Sequence, residues 1–197
     1  MIVGAYTYDP AGKIDAGAAV IFRWAGTTWT EEARLVANDG VAGDRFGKSV
    51  AVQGNTAVVG AYFAGLPGKP GAGAAYVFQR TGTTWIQVAK LTASDSATSD
   101  NFGSCVDLDG DTILVGAPFK NGALTGAQAG AAYVYAKAAG VWSQQQKITD
   151  LSGSLGDQFG SSVAMQGDRK EWISVMSSAW SSVRSSATLP SSQFLWN

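Results

Sequence analysis

Along residues 44–93 the apolar positions fall into four short runs, each followed by a turn. Ser49-Val50-Ala51-Val52 alternates small and apolar side chains before Gln53-Gly54-Asn55 supplies a tight turn. Thr56-Ala57-Val58-Val59-Gly60-Ala61 is a β-branched run that ends in small residues. After a loop, Ala74-Ala75-Tyr76-Val77-Phe78 makes a third strand, and Thr81-Gly82-Thr83 turns the chain into a fourth over residues 85–91. Four short antiparallel strands joined by hairpins predict one twisted sheet.

The same sentence is written again on either side. Phe46-Gly47, Phe102-Gly103 and Phe159-Gly160 stand 56 and 57 residues apart. Val3-Gly4-Ala5, Val59-Gly60-Ala61 and Val115-Gly116-Ala117 keep the same phase, as do Gly17-Ala18-Ala19, Gly73-Ala74-Ala75 and Gly130-Ala131-Ala132. Trp29, Trp85 and Trp142 follow it too, and so do Leu35, Leu91 and Ile148. A period this long marks stacked or radially arranged supersecondary units. Small residues at the end of the second strand and one tryptophan opening the fourth suit blades that narrow toward an axis. The expected fold is therefore all-β, with β-propeller blades of four antiparallel strands. Each tryptophan reads as packing between blades rather than as a ligand platform.

In chain order, residues 2–37 hold a partial unit, strands two to four. Residues 44–93 and 100–149 hold full units, and residues 157–168 begin a fourth. That makes twelve expected strands, about three blades' worth if the last joins the first sheet, where a closed ring needs about four to eight blades. The expectation is an open arc or part of a larger ring, with exposed apolar faces, further blades elsewhere or self-association into a homo-oligomer. Residues 169–197 break the pattern as a serine-rich, non-repeat tail. In it Trp172, Val175, Met176, Ala179, Trp180 and Val183 fall near helical spacing and predict a short amphipathic helix. This break, with the incomplete first unit, suggests a fragment of a longer repeat protein with an out-of-frame tail.

Composition sharpens this picture in a few places. Glycine numbers 25 of 197 residues, about 13% against a usual ~7%, and all of it precedes residue 168. A net charge of −1 and a pI near 5.3 give no footprint for nucleic acid. No apolar run approaches the ~18 residues of a membrane-spanning helix, so no membrane insertion is expected, and no signal peptide is visible. Histidine is absent, which removes the commonest general base and metal ligand. Cys105, the single cysteine, stands where Ser49 and Ser162 stand in their units and reads as a small buried residue.

The Phe-Gly openings and the Gly116-Ala117-Pro118 element resemble the FG-GAP repeat over residues 2–168. Gly60-Ala61-Tyr62 and Gly4-Ala5-Tyr6 depart from it at the third place. The resemblance implies the propeller of integrin α-subunits and of bacterial secreted or surface proteins, hence an extracellular or cell-surface setting. It also implies a calcium loop between the first two strands. Asp107, Asp109 and Asp111 are the one candidate set for it here. Their turn is too short to gather the six to eight oxygens calcium takes, so a plain hairpin stands beside the calcium reading and is preferred, with no other cofactor expected.

Asp44, Asp100 and Asp157 recur once per unit before each Phe-Gly and read as turn residues. No P-loop, zinc spacing or nucleophile elbow is present, so no catalytic residue is expected. What varies is the loop between strands two and three. It carries Tyr6, Tyr8, Asp9 and Lys13 in the first unit, Tyr62, Phe63 and Lys69 in the second, and Phe119, Lys120 and Asn121 in the third. In a propeller these loops share one end with the links from strand four to strand one. Variable loops on a rigid scaffold predict a non-catalytic binding or adhesion module for a protein or glycan. The alternatives are an appendage of a secreted hydrolase or lyase, and a fragment without independent function.

Overall fold

Residues 1–121, 128–150 and 154–166, together with the backbone of 173–176, are described by a computed structural model. The first sheet holds β1 (Ile2–Ala5), β2 (Ala18–Trp24) and β3 (Trp29–Leu35). The second holds β4 (Phe46–Gln53), β5 (Thr56–Ala61), β6 (Ala74–Thr81) and β7 (Thr84–Leu91). The third repeats it with β8 (Cys105–Asp109), β9 (Thr112–Ala117), β10 (Ala131–Ala138) and β11 (Val141–Ile148). A fourth consists of β12 (Ser162–Met165) and β13 (Ile173–Met176). All pairings are antiparallel and each sheet follows chain order, as blades require. Register repeats as well as order: Val50 opposes Val59 and Val106 opposes Val115. A bulge recurs at Ile21/Phe22, Val77/Phe78 and Val134/Tyr135, adding twist at the same height in each sheet.

Two hydrophobic cores lie between successive sheets. One joins Ala19, Ile21 and Leu35 to Phe46, Val59, Tyr76 and Phe78. The other joins Val58, Val77 and Leu91 to Phe102, Val115, Tyr133 and Tyr135. The second sheet is thus covered on both faces, which is why five consecutive residues of β5 are buried instead of alternating. The outermost β7 and β11 alternate exposed and half-buried residues along their first four positions. First strands lie side by side, with β8 packed on both β4 and β12.

The glycine landmarks are seam residues. A Cβ on Gly4, Gly60 or Gly116 would stand 1.9, 2.0 or 1.9 Å from the carbonyl oxygen of Gly47, Gly103 or Gly160 in the following unit. Isolated parallel bridges join Gly17 to Phe46, Gly73 to Phe102 and Gly130 to Phe159. Main chain packs directly on main chain there, and any side chain would hold the sheets apart. The tryptophans behave as expected where a sheet precedes them. Trp85 packs on the first core and Trp142 on the second, while Trp29 in the first sheet is 49% exposed.

Two expectations are corrected. Residues 173–176 are not helical: Ile173–Met176 pairs with β12, Ser162 opposite Met176 and Val163 opposite Val175, in the place of a second strand. A strand edge with unmet N–H and C=O groups outweighs the weak drive of a short helix, and Ile-Ser-Val-Met suits a pleated surface. The other residues of the predicted helix, Trp172, Ala179, Trp180 and Val183, lie outside the described residues. The last unit also does not complete the first sheet, since β12 pairs with β13 and packs on β8 and β9. The described strands number thirteen where twelve were expected.

Candidate binding face

Backbone hydrogen bonds close each loop between the second and third strands at its base. Gly17 donates to the Tyr8 carbonyl at 2.8 Å, Gly73 to Ala64 at 2.9 Å and Gly130 to Lys120 at 2.9 Å. The end of each loop then runs beside the link to the next unit. Arg45 and Phe46 donate to Asp15 and Ala16, Asn101 and Phe102 to Gly71 and Ala72, and Gln158 and Phe159 to Gln128 and Ala129. Loops and links therefore share one end, as the pattern predicts, with their described bases tied together by main-chain hydrogen bonds. Asp44, Asp100 and Asp157 shape the links, each carboxylate accepting the N–H three residues upstream, from Val41, Ala97 and Ser154.

The predicted loop residues separate into tips and struts. Tyr6, Tyr8 and Phe63 are tips, 37%, 41% and 45% exposed. Tyr62 is half-buried and stacks on Phe63 with centroids 4.3 Å apart. Asp9 and Asn121 are struts, for their Oδ1 atoms accept the N–H groups of Asp15 at 2.7 Å and Gln128 at 3.1 Å. Lys13 donates to the Gly40 carbonyl at 2.6 Å and Lys69 to the Ser96 hydroxyl at 3.3 Å, so both tie loop to link. Phe119 is half-buried. Lys120 differs from the expected charged tip. It is buried, bonds Asp100 at 2.8 Å and the Asp95 carbonyl, and presents no free charge. Removing one partner of such a pair would leave a buried charge uncompensated.

Three cations that motif reasoning missed surround the tips. Arg34 lies 4.9 Å from the Tyr8 ring centroid, and Lys48 and Arg45 lie 4.9 and 5.8 Å from that of Tyr6. Phe63 donates its backbone N–H to the Asp44 carbonyl at 3.3 Å, so it borders the same link from the other side. Tyr6 and Phe63, 57 residues apart in sequence, thus flank residues 44–48. Only the variable position before each Phe-Gly, Arg45 against Asn101 and Gln158, hinted at this in the sequence.

Links are pinned to the next sheet by carboxylates. Asp95 accepts from Tyr133 and Lys147, each at 2.7 Å, and Asp39 from Lys90 at 2.7 Å. Burial alone would raise both carboxyls, but hydrogen bonds from Lys90 and Tyr76, and from Lys147 and Tyr133, hold them below the ordinary 3.8. The Trp85 indole, helped by Arg80, holds Glu32 below 4.5 against the effect of burial. Asp44 goes the other way, raised by burial. Depressed carboxyls contribute stability that is present above their unfolded values and lost as pH falls through the folded ones. Asp44 contributes in the opposite sense, losing stability as pH rises through its own folded value. Three groups against one predict that the melting temperature falls as pH drops below about 4.5. Asp39→Asn with Asp95→Asn should flatten that fall, as melting curves across pH will read.

The carboxylates proposed for calcium do not converge. Asp107 accepts from the backbone N–H groups of Leu108 and Met165, whereas Asp109 accepts from the Gln53 amide at 2.9 Å in the preceding unit. Asp111 is exposed in the turn. Among the described residues no three Asp, Glu, Cys or His side chains group so as to hold an ion. The reason is geometric: a tight hairpin sends its carboxylates to opposite neighbours. Cys105 is a seam residue whose thiol donates to the Gly160 carbonyl at 2.9 Å, and burial pushes it up to about 12. Its thiolate fraction at pH 8 should be roughly a thousandfold below that of a free cysteine, so iodoacetamide should label the native chain far more slowly than the urea-unfolded one.

The family model described as FG-GAP repeat matches residues 29–78, 85–135 and 142–169. No curated protein matches the chain.

Proposed function

Because the chain belongs to the FG-GAP repeat family, we propose that it is a non-catalytic binding or adhesion module, working outside the cell, that recognises a protein or glycan through the loop end of its blades. The supporting observation is the group Tyr6, Tyr8 and Phe63, exposed on loops whose bases are hydrogen-bonded to the neighbouring links. Exposed aromatics on a rigid frame lose little side-chain entropy on binding and offer large contact areas. Arg34 and Arg45, themselves ion-paired with Glu31 and Asp15, and Lys48 hold the two phenol rings in place. No helix among the described residues is long and apolar enough to cross a membrane.

The test is a panel of immobilised extracellular-matrix proteins and glycans read by biolayer interferometry. The variant Tyr6→Ala/Tyr8→Ala/Phe63→Ala should lose binding by about tenfold or more with little change in melting temperature. A ligand bound equally well by that variant would place recognition elsewhere on the molecule.

A further inference from the structure

A separate recess lies at the opposite end of the sheets, between the first and the second. The hairpins joining β2 to β3 and β6 to β7 both stand at that end, as does Gly54 in the turn from β4 to β5. A cleft of about 240 Å³ opens among them, with Trp24, Trp29, Trp85, Arg23, Glu32 and Arg80 in its walls. Trp24 and Trp29 oppose each other across their hairpin, centroids 5.3 Å apart, and remain 52% and 49% exposed.

The polar groups are arranged with two guanidiniums around one carboxylate. Glu32 has a side chain only 6% exposed and is fully engaged. Trp85 donates to it at 3.0 Å and Arg80 Nη2 at 2.7 Å, while Arg23 Nε stands 3.6 Å away. Arg80 Nε is buried and has no hydrogen-bond partner among the described residues. A buried donor left unmade is costly, and here it belongs to a charged fork. Two guanidiniums against one carboxylate leave a surplus positive charge in the recess.

This chemistry departs from the repeat. Positions 24, 80 and 137 read Trp, Arg and Lys, and positions 32, 88 and 145 read Glu, Val and Gln. Residues that only build blades recur once per unit, as Trp29, Trp85 and Trp142 do. Trp24 and Glu32 have no counterpart, and they meet Arg80 at one seam.

We propose that this cleft binds a hexuronic acid unit of an acidic glycan. The flat C–H face of a pyranose ring packs on exposed indole, and its carboxylate pairs with the Arg23 guanidinium, which is 64% exposed, in the positive field of the buried Arg80. The volume suits a single sugar ring better than a larger ligand. A neutral sugar fits the same indoles but leaves the surplus charge unanswered. This site is independent of the loop face, since it lies at the other end of the blades and shares no residue with it.

Titration of the full chain with oligogalacturonate and oligoglucuronate, against a neutral galactose oligomer, tests it through tryptophan fluorescence. At least one acidic oligomer should quench emission, with affinity falling as salt rises. The neutral oligomer should bind about tenfold more weakly or worse. Trp24→Ala and Arg23→Gln sit at exposed positions, so both variants should keep the native melting temperature and each lose several-fold in affinity. Tyr8→Ala at the loop end should leave the titration unchanged. Quenching by neither acidic oligomer, equal affinity for the neutral one, or full affinity in both cleft variants would overturn the assignment.

Discussion

Gly60→Ala destabilises the chain by about 3 kcal/mol or more, the expected outcome of forcing a methyl group into a main-chain seam. A Cβ at Gly60 would sit 2.0 Å from the Gly103 carbonyl oxygen and 3.0 Å from its carbon. Neither belongs to a flexible side chain, so relief requires the second and third sheets to move apart. That movement also loosens the core holding Val58, Val77, Phe102 and Tyr133. The matched control is Gly65→Ala, because Gly65 has open space around it and no left-handed backbone angle. It should stay within about 0.5 kcal/mol of the parent chain. Urea midpoints for the two variants decide the matter, and equal midpoints would mean that the seams are not main-chain contacts.

Phe102→Ala is expected to cost about 3–5 kcal/mol. The ring is fully buried and meets Tyr133 and Tyr135 edge-on, with centroids 5.4 and 6.0 Å away. Phe46 makes the same contacts with Tyr76 and Phe78, at 5.5 and 5.9 Å. Truncation removes apolar area from both neighbours and leaves a cavity at the seam, where the backbone bridge from Gly73 to Phe102 limits collapse. In a repeat array stability is close to a sum of unit and interface terms. Phe102→Ala should therefore lower the unfolding midpoint and broaden the transition as the two halves uncouple. Phe102→Leu keeps most of the volume and should cost about 1.5 kcal/mol or less.

These two residues also show what the sequence carried and why. Phe102-Gly103 and Val59-Gly60-Ala61 repeat because each copy meets the next in the same way, so constraints on the seam are written at a constant interval. Strand identity, sheet order and the end at which the loops gather follow from that interval and from short-range patterning. The fate of Lys120 was not written there. It stands on a loop that looks exposed, yet its partners Asp95 and Asp100 come from the preceding link and bury it. Nor was the grouping of Tyr6, Arg45, Lys48 and Phe63 around one link, or that of Trp24, Glu32 and Arg80 at the other end.

Period, strands and glycine seams were thus determined by the chain alone, because backbone register and turn chemistry are local or strictly periodic. Burial, charge pairing and the shape of each recess were decided only by tertiary structure. They depend on side chains distant in sequence that meet where the repeat is broken, and no periodic signal records such meetings. The strand at Ile173–Met176 belongs to the same class, since a free edge on β12, not the spacing of its own residues, sets its conformation.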